Sequence, residues 1–269
     1  MDTPPHMLFV SHGSPMLMLE DSPARRFLVE LGQSLPRPRA IVTISAHWEN
    51  VGGMAVGTAP HFGTLHDFFG FPRALYGVRY PAPGAPGLAQ RCEAWLAGVG
   101  VPVRVDAERP LDHGVWVPLS LMFGAADIPL CPLSLVRGAD IATHYRIGQA
   151  LQRLGEEEGV LIIASGSMTH NLSEAIEYES EAREEGWARE FADWMASALQ
   201  QGRIADLLAW RQNAPWARRN HPSEEHLAPL FMLLGMAGES WRAQRLFSGS
   251  VHGVIAMDCF RVDPAGAVL

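Results

Sequence analysis

Short apolar runs alternate along this chain with segments of helical spacing. The runs cover residues 7–11, 40–46, 101–105, 128–136, 160–165 and 251–260. Helical spacing fits residues 23–35, 86–98, 115–124, 140–155, 184–200 and 223–234. Unbroken apolar strands that alternate with helices are typical of a mostly parallel sheet with both faces covered. We therefore predict an α/β fold, in which residues 1–269 form a single domain with a mostly parallel or mixed central sheet covered by helices on both faces.

The segment between residues 51 and 87 is irregular. It is rich in glycine, proline and aromatic residues and has few periodic apolar positions. Loops of this length inside a compact domain are usually functional. We expect this segment to lie over the active site, where its aromatic side chains would either wall the pocket or fill the core: Phe62, Phe68, Phe69, Phe71 and Tyr80.

Composition excludes several classes of protein. Hydrophobic residues make up 48% of the chain and charged residues 19%, which suits a large core. The net charge of −8 argues against nucleic-acid binding, because phosphates are met mainly by Lys and Arg. The apolar run at residues 227–237 is far below the ~20 residues of a membrane span. With no signal peptide and three scattered cysteines, Cys92, Cys131 and Cys259, we predict a soluble cytoplasmic protein.

Three of the apolar runs lead into a histidine. His12 follows residues 7–11, His47 follows residues 40–46, and His170 comes shortly after residues 160–165. In parallel sheets, ligands bind outside the carboxyl ends of the strands, and parallel strands bring these ends to one edge. Neutral imidazole is a good ligand for Zn, Cu, Fe and Ni. The pattern predicts a metal site assembled in space from histidines at this edge.

Two further histidines belong to the same interpretation. His113 and His226 each stand where a loop gives way to a helical segment. A catalytic metal typically keeps three protein ligands and an open position. Glu225 competes with His226 for the third place, since two histidines and one carboxylate form the facial triad of non-heme iron(II) oxygenases. Any single histidine could instead be a capping or hydrogen-bonding residue.

The other histidines receive weaker assignments. We expect no catalytic part for His6, His144 and His221. His61 and His66 lie in the irregular segment and could be lid or surface residues.

At these residues the sequence resembles the class III extradiol ring-cleaving dioxygenases of the DOPA 4,5-dioxygenase type. The resemblance consists of short segments in family order from residue 8 to about residue 235: residues 11–15, 45–48, 66–68, 70–72, 80–84, 112–114, 164–166, 170–171 and 225–226 with Pro229. Glu224 departs from the family pattern, in which a proline is common at this position.

The resemblance implies a function and a division of roles. His12, His47 and His226 would be metal ligands, and His170 a fourth ligand or the acid–base residue. His113 would be a second catalytic histidine near the substrate. The cofactor would be Fe(II), with zinc possible in the same site. The substrates would be a small catechol-type aromatic and O2, and the reaction an oxidative opening of the ring. The fold would be a single α/β domain.

Rival functions use the same residues. A zinc-dependent hydrolase would activate water with the same histidines. A serine hydrolase is disfavoured because no G-x-S-x-G elbow is present. A non-catalytic metal-binding protein would leave the segments 112–114 and 170–171 without a role. The sequence makes no prediction of the particular catechol, the cleavage position or the oligomeric state.

Overall fold

The computed structural model describes residues 7–175 and 182–265. Its strands are β1 Met7–Ser11, β2 Ala40–Asn50, β3 Met54–Gly57, β4 Val103–Asp106, β5 Leu130–Val136, β6 Val160–Gly166, β7 Trp241–Phe247, β8 Ser250–Val251, β9 Ile255–Ala256 and β10 Cys259–Pro264. Its α-helices are α1 Pro23–Ser34, α2 Pro86–Gly98, α3 His113–Met122, α4 Ile141–Ala150, α5 Leu172–Ala175, α6 Gly186–Gln200, α7 Ile204–Leu208, α8 Trp210–Asn213, α9 Ala217–Asn220 and α10 Ala228–Met236. His6, for which we expect no catalytic part, lies outside the described residues.

Within the described residues, eight strands form one mixed sheet in the order β4-β3-β5-β2-β6-β1-β10-β7. The centre is parallel, because β5, β2, β6 and β1 pair side by side in the same direction. The strands β3 and β5 pair antiparallel, as do β1 and β10, and β10 and β7. The predicted α/β fold with a mixed central sheet is confirmed.

Both faces of the sheet are buried, and the side-chain alternation of the central strands shows why. Met7 and Phe9 of β1 belong to one hydrophobic core, whereas Leu8 and Val10 belong to the other. Helices α2, α4 and α10 contribute to the first core, and α1 and α3 to the second. A strand with two buried faces needs apolar residues at every position, and this produces the unbroken runs.

The structure differs from the sequence prediction in several elements. The run 251–260 is not one strand: it holds part of the β8–β9 hairpin and the start of β10, because His252 (φ 51°) and Gly253 (φ 64°) form a left-handed turn. Strands β3 and β7 and the short helices α5, α7, α8 and α9 were not predicted. Residues 51–87 hold β3 and a 3-10 turn at Arg73–Gly77, so the segment is only partly irregular. Helix α10 begins at Ala228, five residues later than predicted.

The central strands align their carboxyl ends. In the parallel register Ser11 faces Gly166, so β1 and β6 end side by side; Ser45 faces Ser165, and β2 continues past them to Asn50. Among the described residues, no helix combines the length and apolar character that crossing a membrane requires.

Candidate metal centre

His12 follows directly after β1 at the carboxyl edge of the sheet. Its backbone N–H donates to Gly166 O at 3.1 Å. Its ring Nδ1 lies 2.9 Å from Ser165 Oγ, which in turn donates to Gly114 O at 2.5 Å. Because the serine proton is already used, Ser165 must accept from Nδ1–H of His12. The Nε2 atom of His12 therefore keeps its lone pair.

His47 lies inside β2, not beyond its end as the sequence suggested. The register of β2 against β5 shifts between Ile44 and Glu49, so His47 stands in an interrupted part of the ladder. In place of ladder hydrogen bonds, side chains bind the backbone of His47. Its N–H donates to Ser45 Oγ at 3.2 Å, and its carbonyl accepts from Arg109 at 3.0 Å. Ser45 Oγ donates to Asp112 at 2.6 Å. These contacts fix the imidazole at the edge of the sheet.

His226 reaches the same place from the turn before α10. Its Nδ1 donates to Glu225 Oε1 at 3.1 Å, and its Nε2 is buried without a hydrogen-bond partner. The strand end β6 packs tightly here, since a Cβ on Gly166 would lie 2.1 Å from His226 O. Ser167 N–H donates to that same carbonyl at 3.0 Å. The turn is thereby tied to the carboxyl end of β6.

The three imidazoles converge on one point. One ring nitrogen each of His12, His47 and His226 lies within 4.8 Å of the others. The Nε2 atoms of His12 and His47 are 3.1 Å apart. Two nitrogens about 2.1 Å from one ion, at an angle of 90–110°, are separated by roughly 3.0–3.4 Å. The donor set, its spacing and the unpartnered Nε2 of His226 fit a metal ion.

Electrostatics favours neutral imidazoles at this point. Burial lowers the pKa of His12 and His226 well below the usual value, and the neighbouring histidines lower both further. Burial and His113 lower the pKa of His47 to about 3, against the opposing charge of Asp67. Neutral imidazoles offer lone pairs to a metal without first losing a proton.

His170 lies beside this group, four residues beyond β6. Its ring stacks on His226 with centroids 3.4 Å apart and planes within 10°. A ring nitrogen of His170 lies within 4.8 Å of ligand atoms of Glu225 and His226. Burial lowers the pKa of His170 to about 4, although Glu225 acts in the opposite direction. At neutral pH this ring is therefore an available proton acceptor.

His113, the first residue of α3, approaches from the other side. Its ring centroid is 4.0 Å from that of His47. Its backbone N–H and its Nδ1 each lie 3.0 Å from Asp67 Oδ1. Burial acts to raise the pKa of Asp67, but its bonds with His113 outweigh this and lower it. Burial raises the pKa of Asp112, the residue before His113.

The remaining histidines are placed elsewhere. His144 has both ring nitrogens bonded to backbone, Nδ1 to Asp140 O at 3.0 Å and Nε2 to the N–H of Val136 at 3.2 Å. His221 lies between Phe191 and Trp210. His61 is exposed, and His66 Nε2 lies 3.2 Å from Val78 O.

The aromatic residues of the irregular segment divide by position. Phe68 lies near His113, with centroids 6.1 Å apart, and also contacts Trp116 and Phe71. Phe62 and Tyr80 are buried in the core, whereas Phe69 is 92% exposed. Of these five aromatic residues, Phe68 is thus the one that adjoins the site histidine His113.

Sequence reasoning missed the residues that orient the imidazoles. Ser165 and Asp67 each hold a ring Nδ1, yet neither was assigned a role. Glu225 was considered as a ligand, whereas its carboxylate bonds to Nδ1 of His226. Ser165 at the end of the run 160–165 was an available signal, whereas Asp67 lies in the irregular segment, and the histidine partner of each lies far away in sequence.

Comparison with known proteins agrees with this geometry. Residues 6–257 match the family described as the catalytic LigB subunit of aromatic ring-opening dioxygenase. The chain is 39% identical to a protein named 4,5-DOPA dioxygenase extradiol from Beta vulgaris, over 94% of both chains. It is also 39% identical to a protein of the same name from Escherichia coli (strain K12), over 92% of this chain and 89% of that one.

A solved structure extends the similarity to the fold. The crystal structure of an uncharacterized protein from Escherichia coli K12 matches with a TM-score of 0.78 and 33% identity, covering 96% of this chain and 99% of the other. The chain belongs to the LigB family of aromatic ring-opening dioxygenases. It is an extradiol dioxygenase, an enzyme that opens an aromatic ring beside a pair of neighbouring hydroxyls.

Proposed function

We propose that His12, His47 and His226 hold Fe(II) and that the enzyme opens the ring of a DOPA-like catechol with O2. The observation that carries the proposal is the convergence of three imidazoles, two buried and one half-buried, with Nδ1 of His12 and of His226 occupied by Ser165 and Glu225. Imidazole ligands suit iron as well as zinc. Fe(II) bound there would hold catechol and O2 together and acidify the catechol hydroxyls.

His170 is the acid–base residue in this proposal. Its ring stacks on His226 beside the three-histidine group. With its pKa lowered to about 4, the imidazole is neutral at working pH and can take a proton from a catechol hydroxyl. The same ring can return this proton as the carbon ring opens.

His113 stabilises negative charge that develops on the reacting oxygens. Asp67 accepts from its Nδ1–H, so Nε2 faces away from Asp67. With Nδ1–H bonded to Asp67, a proton on Nε2 would make this ring a hydrogen-bond donor toward those oxygens. Donors placed where charge develops are worth more in a site that excludes water than in solution.

The substrate assignment rests on relatives and on the irregular segment. The relatives from Beta vulgaris and Escherichia coli are named for action on DOPA. Phe68 places an aromatic face next to His113, where a planar ring could pack. We propose that residues 51–87 form one wall of the substrate pocket. A cytoplasmic location remains an expectation from the cysteine usage.

A spectrophotometric screen tests the proposed reaction. Protein stripped of metal and reloaded anaerobically with Fe(II) is mixed with catechol, DOPA or protocatechuate, and O2 is then admitted. We expect a yellow ring-opened product from a DOPA-like catechol, and none without O2. The Zn(II)-loaded protein is the control, since redox-inert zinc should not support ring opening. Turnover by the zinc form, or none by the iron form, would contradict the proposal.

A further inference from the structure

We propose that Asp67 is a positioning residue that fixes the proton positions of His47 and His113 together and so joins the segment 51–87 to the metal centre. The part concerning His113 rests on the function proposed above, whereas the part concerning His47 requires only that the centre binds a metal. Neither the sequence motifs nor the family match assigns this role to Asp67.

The geometry places one carboxylate between two imidazoles. Asp67 Oδ1 lies 3.0 Å from Nδ1 of His113 and 3.0 Å from its backbone N–H. The other oxygen, Oδ2, faces Nδ1 of His47 at 3.8 Å. That separation exceeds hydrogen-bond length, so the contact with His47 is electrostatic, whereas the contact with His113 is a hydrogen bond.

A carboxylate only accepts hydrogen bonds, and this decides the tautomers. His113 must therefore carry its proton on Nδ1, and the negative charge of the same carboxylate favours a proton on Nδ1 of His47 as well. His47 then keeps its lone pair on Nε2, the atom 3.1 Å from Nε2 of His12. Outer partners that hold a ligand histidine in this way fix its tautomer and raise its basicity. One side chain therefore prepares a metal ligand and a neighbouring catalytic ring.

The position of Asp67 is itself fixed by its neighbours in sequence. Leu65 N–H donates to Leu111 O at 2.8 Å, and Leu65 O accepts from the indole of Trp116 at 2.8 Å. On the other side, Phe68 packs against Trp116. These contacts dock the segment on the start of α3, the helix that carries His113. The residue as a whole is exposed, whereas its side chain, which points to the two rings, is 20% exposed.

Substitution of Asp67 by asparagine tests the tautomer control. An amide is nearly isosteric but uncharged, and it accepts with one atom and donates with the other, so it cannot present a negative oxygen to both rings. We expect Asp67→Asn to weaken Zn²⁺ binding by the metal-free protein about 10–100-fold, as is typical for outer partners of ligands. Isothermal titration measures this without substrate. Asp67→Glu restores a carboxylate and should recover part of the affinity.

The control is Asp140→Asn. Asp140 also accepts a backbone N–H, from Thr143 at 2.8 Å, but it caps α4 and contacts none of the site histidines. Its Zn²⁺ affinity should match the wild type. If Asp67→Asn binds Zn²⁺ within a factor of about 3 of the wild type, or if Asp67→Glu is no better than Asp67→Asn, the proposal is wrong. Asp67→Ser serves as the test variant if the asparagine variant does not fold.

Comparing Asp67→Asn in the wild-type protein and in the His113→Ala variant separates the role of Asp67 at His113 from its role at His47. With Fe(II) saturating, Asp67→Asn should lower kcat in the wild-type background and change it little in His113→Ala. Its effect on Zn²⁺ affinity, which acts through His47, should persist in both backgrounds. An equal loss of kcat in both backgrounds would overturn the role at His113. If wild-type protein opens no catechol while Asp67→Asn still weakens Zn²⁺ binding, the proposed function fails and the role at His47 stands.

Discussion

Two groups of buried or half-buried histidines can be compared within this molecule. His12, His47 and His226 gather at the carboxyl edge of the sheet, while His144 and His221 lie in the protein interior away from that point. Burial lowers the pKa in both groups, to about 3 for His47 and for His221. Burial and a lowered pKa therefore do not distinguish a metal site from a structural histidine.

The difference lies in where the free nitrogens point. Both ring nitrogens of His144 are bonded to backbone, and Nε2 of His221 donates to Met168 O at 2.9 Å. The unpartnered Nδ1 of His221 has aromatic neighbours, Phe191 and Trp210. In the first group, by contrast, free lone pairs face one another. Convergence of ring nitrogens from three histidines, and not burial, marks the candidate metal centre.

Among the substitutions that test this comparison, removal of one of the three converging histidines should have the largest effect on metal binding. We expect His226→Ala to weaken metal binding by more than the roughly 100-fold typical of outer partners, because a direct ligand is lost. Elemental analysis after dialysis measures bound metal per chain. His61→Ala removes an exposed histidine and should keep the wild-type content. Full metal content in His226→Ala would exclude it as a ligand.

Substitution of His170 tests whether this residue is a fourth metal ligand or an acid–base residue beside the three proposed ligands. We expect His170→Gln to lower kcat by about 10²–10⁴-fold, the usual contribution of an acid–base residue. Metal content should remain close to wild type, since His12, His47 and His226 are the proposed ligands. Loss of metal in His170→Gln would instead identify His170 as a fourth ligand. Retained turnover would exclude the acid–base role.

Substitution of Ser165 tests whether its hydrogen bond to Nδ1 of His12 keeps the lone pair of His12 on Nε2. Without the hydroxyl, Nδ1–H of His12 loses its acceptor and the other tautomer becomes accessible. We expect Ser165→Ala to weaken Zn²⁺ binding about 10–100-fold. Calorimetric titration measures this, with Ser34→Ala at the end of α1 as the control. Unchanged affinity would show that the serine does not govern the tautomer.

His221 should affect stability and not metal binding. Its folded-state pKa, about 3, lies below the unfolded value near 6.5, so the unfolded chain binds the extra proton between these limits. Its contribution is present above pH ~6.5 and is lost as the pH falls toward 3, at up to ~1.4 kcal/mol per pH unit.

His221→Gln keeps a donor for Met168 O and removes the titration. Urea unfolding at several pH values between about 6 and 4 should show a shallower loss of stability in this variant. His61→Gln is the matched control on the surface. An unchanged slope in His221→Gln would contradict the lowered pKa.

Much of the fold could be read from the chain. The apolar runs of β1, β2 and β6 are confirmed, because strands buried on both faces leave a clear signal in sequence. The exposed or short elements, β7 and the helices α7 to α9, lacked such a signal. The run 251–260 was predicted as one strand from its apolar residues. His252 and Gly253 instead turn the chain within it, and the apolar pattern carried no signal of this turn.

The sequence by itself determined which residues could form the site, since His12, His47, His113, His170 and His226 all come together in the structure. Only the tertiary structure decided their orientation. Ser165 lies 153 residues from His12, and Asp67 lies 46 residues from His113, so no local pattern links them. An imidazole becomes a ligand through the hydrogen bond at its other nitrogen, and the folded chain supplies that partner.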